Sequence, residues 1–162
     1  MDFNLNDEEQ AIHDLAGQIL GDKSTHERLR DLAGSDDRID AEAWAALAEA
    51  GVLGAAIPEE HGGLGLGFLA TAVALQQVGA TASPVPLLAT AVMGAMPIVE
   101  FGTESQKSAH LPSIADGSLV VAGAFYEEGT IPSEPETVAV AEGDGYRLDG
   151  VKPMVEAGLD AG

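Results

Sequence analysis

The sequence contains no cysteine and very few basic residues. Without cysteine, the chain can have no disulfide, no thiolate metal ligand and no cysteine nucleophile. Its 162 residues include 7 lysines and arginines against 27 aspartates and glutamates, which gives a formal net charge of −20. A surface of this sign repels phosphate backbones and anionic lipids, so we expect no binding to nucleic acid or to membrane surfaces. The acidic start, MDFNLNDEEQ, also lacks the basic-then-apolar order of a signal peptide, and with the missing cysteine it favours a cytoplasmic location.

Charged side chains are absent between Gly62 and Val99. A membrane span needs about 20 predominantly apolar residues in one run, and here two glutamines, a serine and two prolines interrupt the stretch. We therefore predict no membrane span, but two helices over about 68–79 and 86–101, buried on most of their circumference. Helices of this kind lie inside a larger assembly or against another subunit.

Signals for helices recur along the first part of the chain, and signals for strands follow. Asn6 with Glu9, and Thr103 with Gln106, have the spacing of capping boxes, and Asp40 precedes an alanine-rich helix as an N-cap. The later residues are rich in valine and aromatics and are separated by Gly-Asp and Asp-Gly turns. Strands are predicted over 119–127, 137–142, 146–148 and 151–155.

The predicted fold class is therefore α+β. We expect a helical domain of about five to six helices over residues 1–117, followed by the beginning of an antiparallel β domain over 118–162. Three or four strands without a partner sheet make a poor independent domain. Residues 159–162 show no sign of a natural finish, so we expect the chain to be part of a longer protein.

The residues alone indicate no self-contained active site. The four histidines lack the spacing of metal ligands, so no metal site and no catalytic residue is predicted. The glycine-rich loop EEHGGLGLG (59–67) fits neither a dinucleotide fingerprint nor a P-loop. Its glycines are interpreted as turn residues that allow close packing, with positive φ angles at Gly62 and Gly63.

Four phrases of the sequence, in order, resemble segments of the acyl-CoA dehydrogenase family. FNLNDEEQAIHDLAGQIL (3–20) resembles the first helix of that family with its "L-T-E-E-Q" phrase. WAALAEAGVLGAAIPEEHGGLGLG (44–67) resembles "W..L.E.G......PEEYGG.G". FGTESQKSAHLPSIADGSLVVAGAF (101–125) resembles "G.EEQK..YLP..A.GE....A", and GDGYRLDGVKPMVEAGLDA (143–161) resembles "GDGY.LNG.K.WITNA..A". The resemblance covers nearly the whole chain.

The resemblance implies an architecture and a reaction. The family has an N-terminal α domain, a middle β domain and a C-terminal four-helix bundle that is absent from this chain, and it assembles as dimers or tetramers. Its members bind FAD and convert an acyl-CoA substrate to the enoyl-CoA. A glutamate on the C-terminal bundle removes the α proton and the β hydrogen leaves as hydride. These 162 residues alone are therefore not expected to catalyse the reaction.

The resemblance also implies which residues contact the flavin. The family phrase "T-E-P-x-A-G-S-D" corresponds to residues 126–134, and "W-I-T/S" corresponds to 154–156. The implied cofactor-binding residues are Tyr126, Glu127, Ser133, Met154 and Glu156. Tyr126 replaces a threonine of the family phrase. Glu156 puts a carboxylate where the family has a hydroxyl, and its negative charge would oppose reduction of the flavin.

Three interpretations of the longer protein follow. It is an FAD-dependent acyl-CoA dehydrogenase with a divergent flavin site, for which a steroid or branched acyl group is plausible. Alternatively, it is a flavin-poor, non-catalytic partner subunit of a heteromeric dehydrogenase. A third interpretation, from another class, is a helical interaction module without enzyme activity.

Overall fold

The computed structural model describes residues 4–162 of the chain. Within them, six α-helices and one π-helix precede a β-hairpin. The helices are α1 (Asp7–Lys23), α2 (His26–Ala33), α3 (Ala41–Glu49), α4 (Phe68–Thr81), the π-helix (Leu88–Ala95), α5 (Met96–Phe101) and α6 (Glu104–Ala115), and the strands are β1 (Val138–Glu142) and β2 (Gly145–Asp149). Two short 3-10 helices, Val52–Gly54 and Glu59–His61, lie between α3 and α4. The α+β class predicted from the sequence is confirmed, whereas the proposed boundary at residue 117 stays a prediction, and residues 1–3 of that domain lie outside the described residues.

Both predicted capping boxes are present. The Asn6 side chain accepts a hydrogen bond from the Glu9 backbone N–H at 2.8 Å, and the Glu9 carboxylate accepts one from the Asn6 N–H at 2.9 Å. Thr103 and Gln106 make the same reciprocal pair at the start of α6. Each box satisfies two backbone donors that a helix start leaves without a partner, which explains why these helices begin where they do.

The helical core forms around α1, which packs against α3 and α4. Its fully buried side chains include Leu20, Leu47, Leu53 and Leu87. A smaller cluster joins Leu111 and Ile114 of α6 to Ile57. Within residues 4–162, no helix is long and apolar enough to cross a bilayer.

The helix predicted over 86–101 is not a single α-helix. Its first part is the π-helix, and α5 continues from Met96. At Gly94 an added Cβ would lie 2.8 Å from the Val121 side chain, so glycine allows the following segment to approach this wide turn. The Thr90 hydroxyl donates to the Val121 carbonyl at 3.2 Å. Burial is also less complete than expected, because Phe68 and Phe101 are 54% and 84% exposed in the described chain.

The glycine-rich loop runs alongside the stretch that follows α3. Its backbone N–H groups donate to that stretch, from Gly65 to the Ile57 carbonyl and from Leu66 to the Ala55 carbonyl, both at 2.8 Å. Gly62 has the expected positive φ of 85°, but Gly63 does not. Gly63 is required for space instead, because an added Cβ would overlap the Ile57 carbonyl. The loop is thus a packing element.

The β part of the chain contains fewer strands than predicted. Strands β1 and β2 pair antiparallel around the Gly143-Asp144 turn, with Val140 opposite Arg147. The predicted strands 119–127 and 151–155 are wrong, since neither segment joins a sheet among the described residues. The backbone of 119–121 instead bonds to the helical part, for example from the Leu119 N–H to the Ser113 carbonyl at 2.9 Å. A strand needs a neighbouring strand to complete its hydrogen bonds, and valine-rich composition alone does not supply one.

Candidate functional site

Glu127 is buried although it carries a charge, with only 6% of its surface exposed. The Lys152 ammonium nitrogen lies 2.5 Å from its Oε1 atom, and the Thr137 backbone N–H donates to the same oxygen at 3.0 Å. The Thr137 hydroxyl also donates to Oε1, and the Glu136 N–H donates to Oε2. These donors, Lys152 first and Thr137 next, lower the pKa of Glu127 to about 2 against the opposing effect of burial. The carboxylate is therefore ionised at neutral pH.

This carboxylate connects two segments that the sequence resemblance assigned to flavin contact. One is the loop after Glu127, closed by a turn in which the Glu134 N–H donates to the Ile131 carbonyl at 2.9 Å. The other begins at Lys152. Gly150 lies against Thr137, and an added Cβ there would overlap the threonine side chain, so the two segments pack closely.

The remaining predicted contacts are accessible. Tyr126 is 43% exposed and Met154 is 80% exposed, and the Ser133 and Glu156 side chains are exposed as well. Met154 has a left-handed backbone, with φ of 55°, which is uncommon for a residue other than glycine. Glu127 differs from these four because its carboxylate is enclosed by donors of its own chain.

A cavity of about 620 Å³ lies between the helical part and residues 155–160. Its helical wall is mainly apolar, but it also includes Arg38 and Ser83. The apolar lining residues of this wall are Ile39, Leu75, Val78, Pro84, Val85, Pro86 and Leu88. On the opposite side, Val155 and Leu159 add apolar surface, and Glu156 and Asp160 add carboxylates. The cavity has the volume of a site for a drug-sized ligand, and its mainly apolar lining also carries one cationic and two anionic side chains.

The wall segment at residues 83–86 is held in place by buried polar contacts. The Ser83 hydroxyl lies 2.5 Å from that of Ser24, and the Asp40 N–H donates to the Pro84 carbonyl at 2.9 Å. The Asp40 carboxylate is itself the N-cap of α3 and pairs with both Nε and Nη2 of Arg28, at 3.2 and 3.0 Å. Burial raises the pKa of Asp40, but the Arg28 guanidinium and the backbone N–H of Ala43 outweigh it and lower that pKa below the ordinary value. The cavity wall is therefore anchored to α2 and α3.

The accessible residues fit a flavin by their chemistry. The Tyr126 ring and the Met154 thioether offer polarisable surfaces for a flat ring, and the Ser133 hydroxyl and the Glu156 carboxylate offer a donor and an acceptor for its polar edge. The Glu127 carboxylate differs from them, since both of its oxygens accept hydrogen bonds within the chain. Its assignment as a flavin contact stays a prediction. Among residues 4–162, no group of three histidine, aspartate or glutamate side chains could hold a metal ion.

Sequence reasoning missed the partners of Glu127 and the anchors of the cavity wall. Lys152 could have been suspected, because it is one of only three lysines in a chain of net charge −20. Thr137, Ser24 and Ser83 carried no signal, since threonine and serine are common in turns and their contacts are distant in sequence.

Comparison with known proteins identifies the class of protein that this fold and site define. Residues 6–118 match the family model described as acyl-CoA dehydrogenase, N-terminal domain. The chain therefore belongs to the acyl-CoA dehydrogenase family, as its sequence phrases suggested.

Particular relatives extend the similarity beyond residue 118. The L-prolyl-[peptidyl-carrier protein] dehydrogenase of Pseudomonas fluorescens is 36% identical over 160 residues, which cover 94% of this chain and 41% of that protein. The solved structure of the Tcur3481-Tcur3483 steroid ACAD, in a variant form, is 43% identical with a TM-score of 0.86, covering 91% of this chain and 41% of its own. The ChsE4-ChsE5 complex of Mycobacterium tuberculosis is 31% identical with a TM-score of 0.91, covering 99% and 43%. The chain thus spans about two fifths of the length of these relatives.

Proposed function

We propose that the protein to which this chain belongs is an FAD-dependent acyl-CoA dehydrogenase that introduces an α,β double bond into a bulky acyl thioester, such as a steroid or branched ester. The observation that carries this proposal is the cavity of about 620 Å³, which one of the proposed flavin contacts, Glu156, also lines, in a chain of this family. Its volume is far larger than the single five-membered ring of a prolyl group requires. The similarity to a steroid ACAD supports the same class of substrate.

The chain contributes binding and shielding to this reaction. Pro84, Val85 and Leu88 would enclose the acyl group in apolar surface and exclude water from it. Tyr126 and Met154 would hold the face of the flavin ring. FAD, when bound, supplies the hydride acceptor. We assign the base that removes the α proton to no residue of this chain, in agreement with the family pattern that places it on the C-terminal bundle.

The test is a pair of measurements on the complete protein as its source makes it. Purified protein should show the visible absorbance of bound flavin and should convert a steroid side-chain CoA ester to the enoyl ester, detected by mass spectrometry as the loss of two hydrogens. Efficient turnover of a short-chain or carrier-bound prolyl thioester, with none of the bulky ester, would contradict the proposed substrate class.

A second candidate is a flavin-poor partner subunit of a heteromeric dehydrogenase. The specific observation in its favour is the Glu156 carboxylate at the cavity, because a negative charge beside a ring that must accept hydride opposes reduction. Similarity to the ChsE4-ChsE5 complex supports assembly with a second, like subunit. A protein that is colourless alone and carries flavin only when purified with another subunit would favour this candidate over the first.

A further inference from the structure

The interaction of Glu127 with Lys152 joins two segments that lie far apart in the sequence. We propose that Glu127 is a positioning residue, whose carboxylate fastens the loop over residues 128–137 to Lys152. In this way it fixes Tyr126 and Ser133, on one segment, relative to the proposed flavin contacts that follow Lys152. The proposal rests on the proposed function, because it concerns the placement of residues that would hold the flavin.

The carboxylate of Glu127 bonds to its own chain at both oxygens. Oε1 accepts from the Lys152 ammonium and from both the backbone and the hydroxyl of Thr137, and Oε2 accepts from the Glu136 N–H. The Thr130 hydroxyl approaches Oε2 at 3.5 Å. Donors of the same chain thus surround both oxygens, and these donors come from three separate points of the sequence.

The burial pattern shows why this contact matters for the whole segment. Within residues 118–162, Glu127 is the only residue classed as buried, and residues 131–136 are all exposed. Both strands of the hairpin are exposed along their length. A two-stranded hairpin without a covered face is marginally stable at best. Beyond residues 119–121, which pack against the helical core, no residue of this part joins an apolar core cluster of the described chain, so a charged hydrogen-bonded contact is well suited to connect its segments.

The first experiment tests the connection itself and does not depend on flavin. Hydrogen exchange is measured on the complete protein at the Glu136 and Thr137 amides, which donate to Glu127. Glu127→Ala should speed exchange at both amides by about tenfold, as expected for the loss of a hydrogen bond to a charged acceptor. Glu127→Gln, which keeps one acceptor oxygen, should give a smaller effect.

The matched control is Glu128→Ala. Glu128 is the adjacent residue, is exposed, and its substitution changes the net charge by the same amount. It should leave exchange at both amides unchanged. Equal exchange rates in the wild-type, Glu127→Ala and Glu128→Ala chains would overturn the proposed connection.

The second experiment tests positioning in the complete protein through its affinity for FAD. Glu127→Ala and Lys152→Gln should each weaken FAD binding by about tenfold, and the double variant should be no weaker than either, because both remove one interaction. The control here is Asp144→Ala, which removes an exposed carboxylate in the hairpin turn outside both segments and should bind FAD as the wild type does. Fast amide exchange with unchanged FAD affinity would overturn the positioning role and leave Glu127 a structural contact. A wild-type protein that binds no FAD, alone or with a partner, would overturn the proposed function and this role with it, while the exchange rates would still report the connection.

Discussion

Replacing Gly63 by alanine should destabilise the chain by about 3 kcal/mol, although the residue lies in a loop. The added Cβ would overlap the Ile57 carbonyl, and forcing extra atoms into a packed site costs about 1–3 kcal/mol. Relief requires the loop to move away from the stretch beside it. That movement weakens the bonds from Gly65 to Ile57 and from Leu66 to Ala55, at about 1 kcal/mol each. Alanine also lowers the conformational entropy of the unfolded chain, which offsets about 0.4–1 kcal/mol of the lost stability.

The assay is urea unfolding followed by tryptophan fluorescence. Trp44 is the single tryptophan, is 7% exposed, and donates its indole N–H to the Gly117 carbonyl at 2.9 Å, so its emission reports on the helical core. The control is Gly21→Ala in α1, where an added Cβ meets no atom within 4 Å and where alanine should stabilise the helix by up to about 1 kcal/mol. The two variants should therefore shift the midpoint in opposite directions. A Gly63→Ala midpoint equal to or above that of the wild type would refute the packing argument, and normal stability with lost flavin binding would indicate a ligand-binding loop instead.

Three further predictions concern polar contacts and close packing. Asp40→Ala should lower the free energy of unfolding by about 1–2 kcal/mol at neutral pH through loss of the α3 cap. Because the pKa of Asp40 is lowered in the folded state, the difference from wild type in urea unfolding should shrink as the pH falls below the ordinary carboxyl range. An undiminished difference at pH ~3 would contradict that assignment. Gly94→Val should force Val121 away from the π-helix at a cost of about 1–3 kcal/mol. Proteolysis should then be faster after residue 118 than within the helical part. Uniform proteolysis would argue against this close packing. The pKa of Glu127 falls from 4.5 to about 2 on folding, so its stabilising contribution is present above pH 4.5 and is lost as the pH falls toward 2. The difference between wild type and Glu127→Ala in amide exchange at Thr137 should therefore disappear across that window. A difference that persists below it would contradict the charged contact.

The helical part was predictable because its signals are local. A capping box is read from residues three apart, as at Asn6 and Glu9, and the apolar period of a helix is read from its own sequence. The π-helix was not predictable in this way, since the feature that accompanies it, the approach of Val121 to Gly94, joins residues from two distant segments. Gly63 shows the same limit. Its need for space depends on Ile57, which nothing in the loop itself reveals.

The β part was predicted less well because strands are completed by their neighbours. The hairpin was found from Gly143-Asp144, which places both of its strands next to each other in sequence. The segment 119–127 is also rich in valine, yet its start bonds to the helical part, from the Leu119 N–H to the Ser113 carbonyl. The flavin-contact assignment of Glu127 came from a family phrase, and its contact with Lys152 spans a separation in sequence that no short motif covers.

The two parts of the chain are therefore stabilised by different physical means, and this has a consequence for the site. The helical part has a core of uncharged apolar side chains, whose burial involves no titrating group. Residues 118–162 bury one carboxylate and expose apolar strand residues such as Val138, Tyr146 and Leu148. Their order thus depends on electrostatic contacts that acid and neighbouring charge can weaken. The proposed flavin contacts lie in this second part, and the helical wall of the cavity, proposed to enclose the acyl group, lies in the first. Acid or a Glu127 substitution should therefore loosen the flavin contacts while the cavity wall at Pro84 and Val85 stays in place.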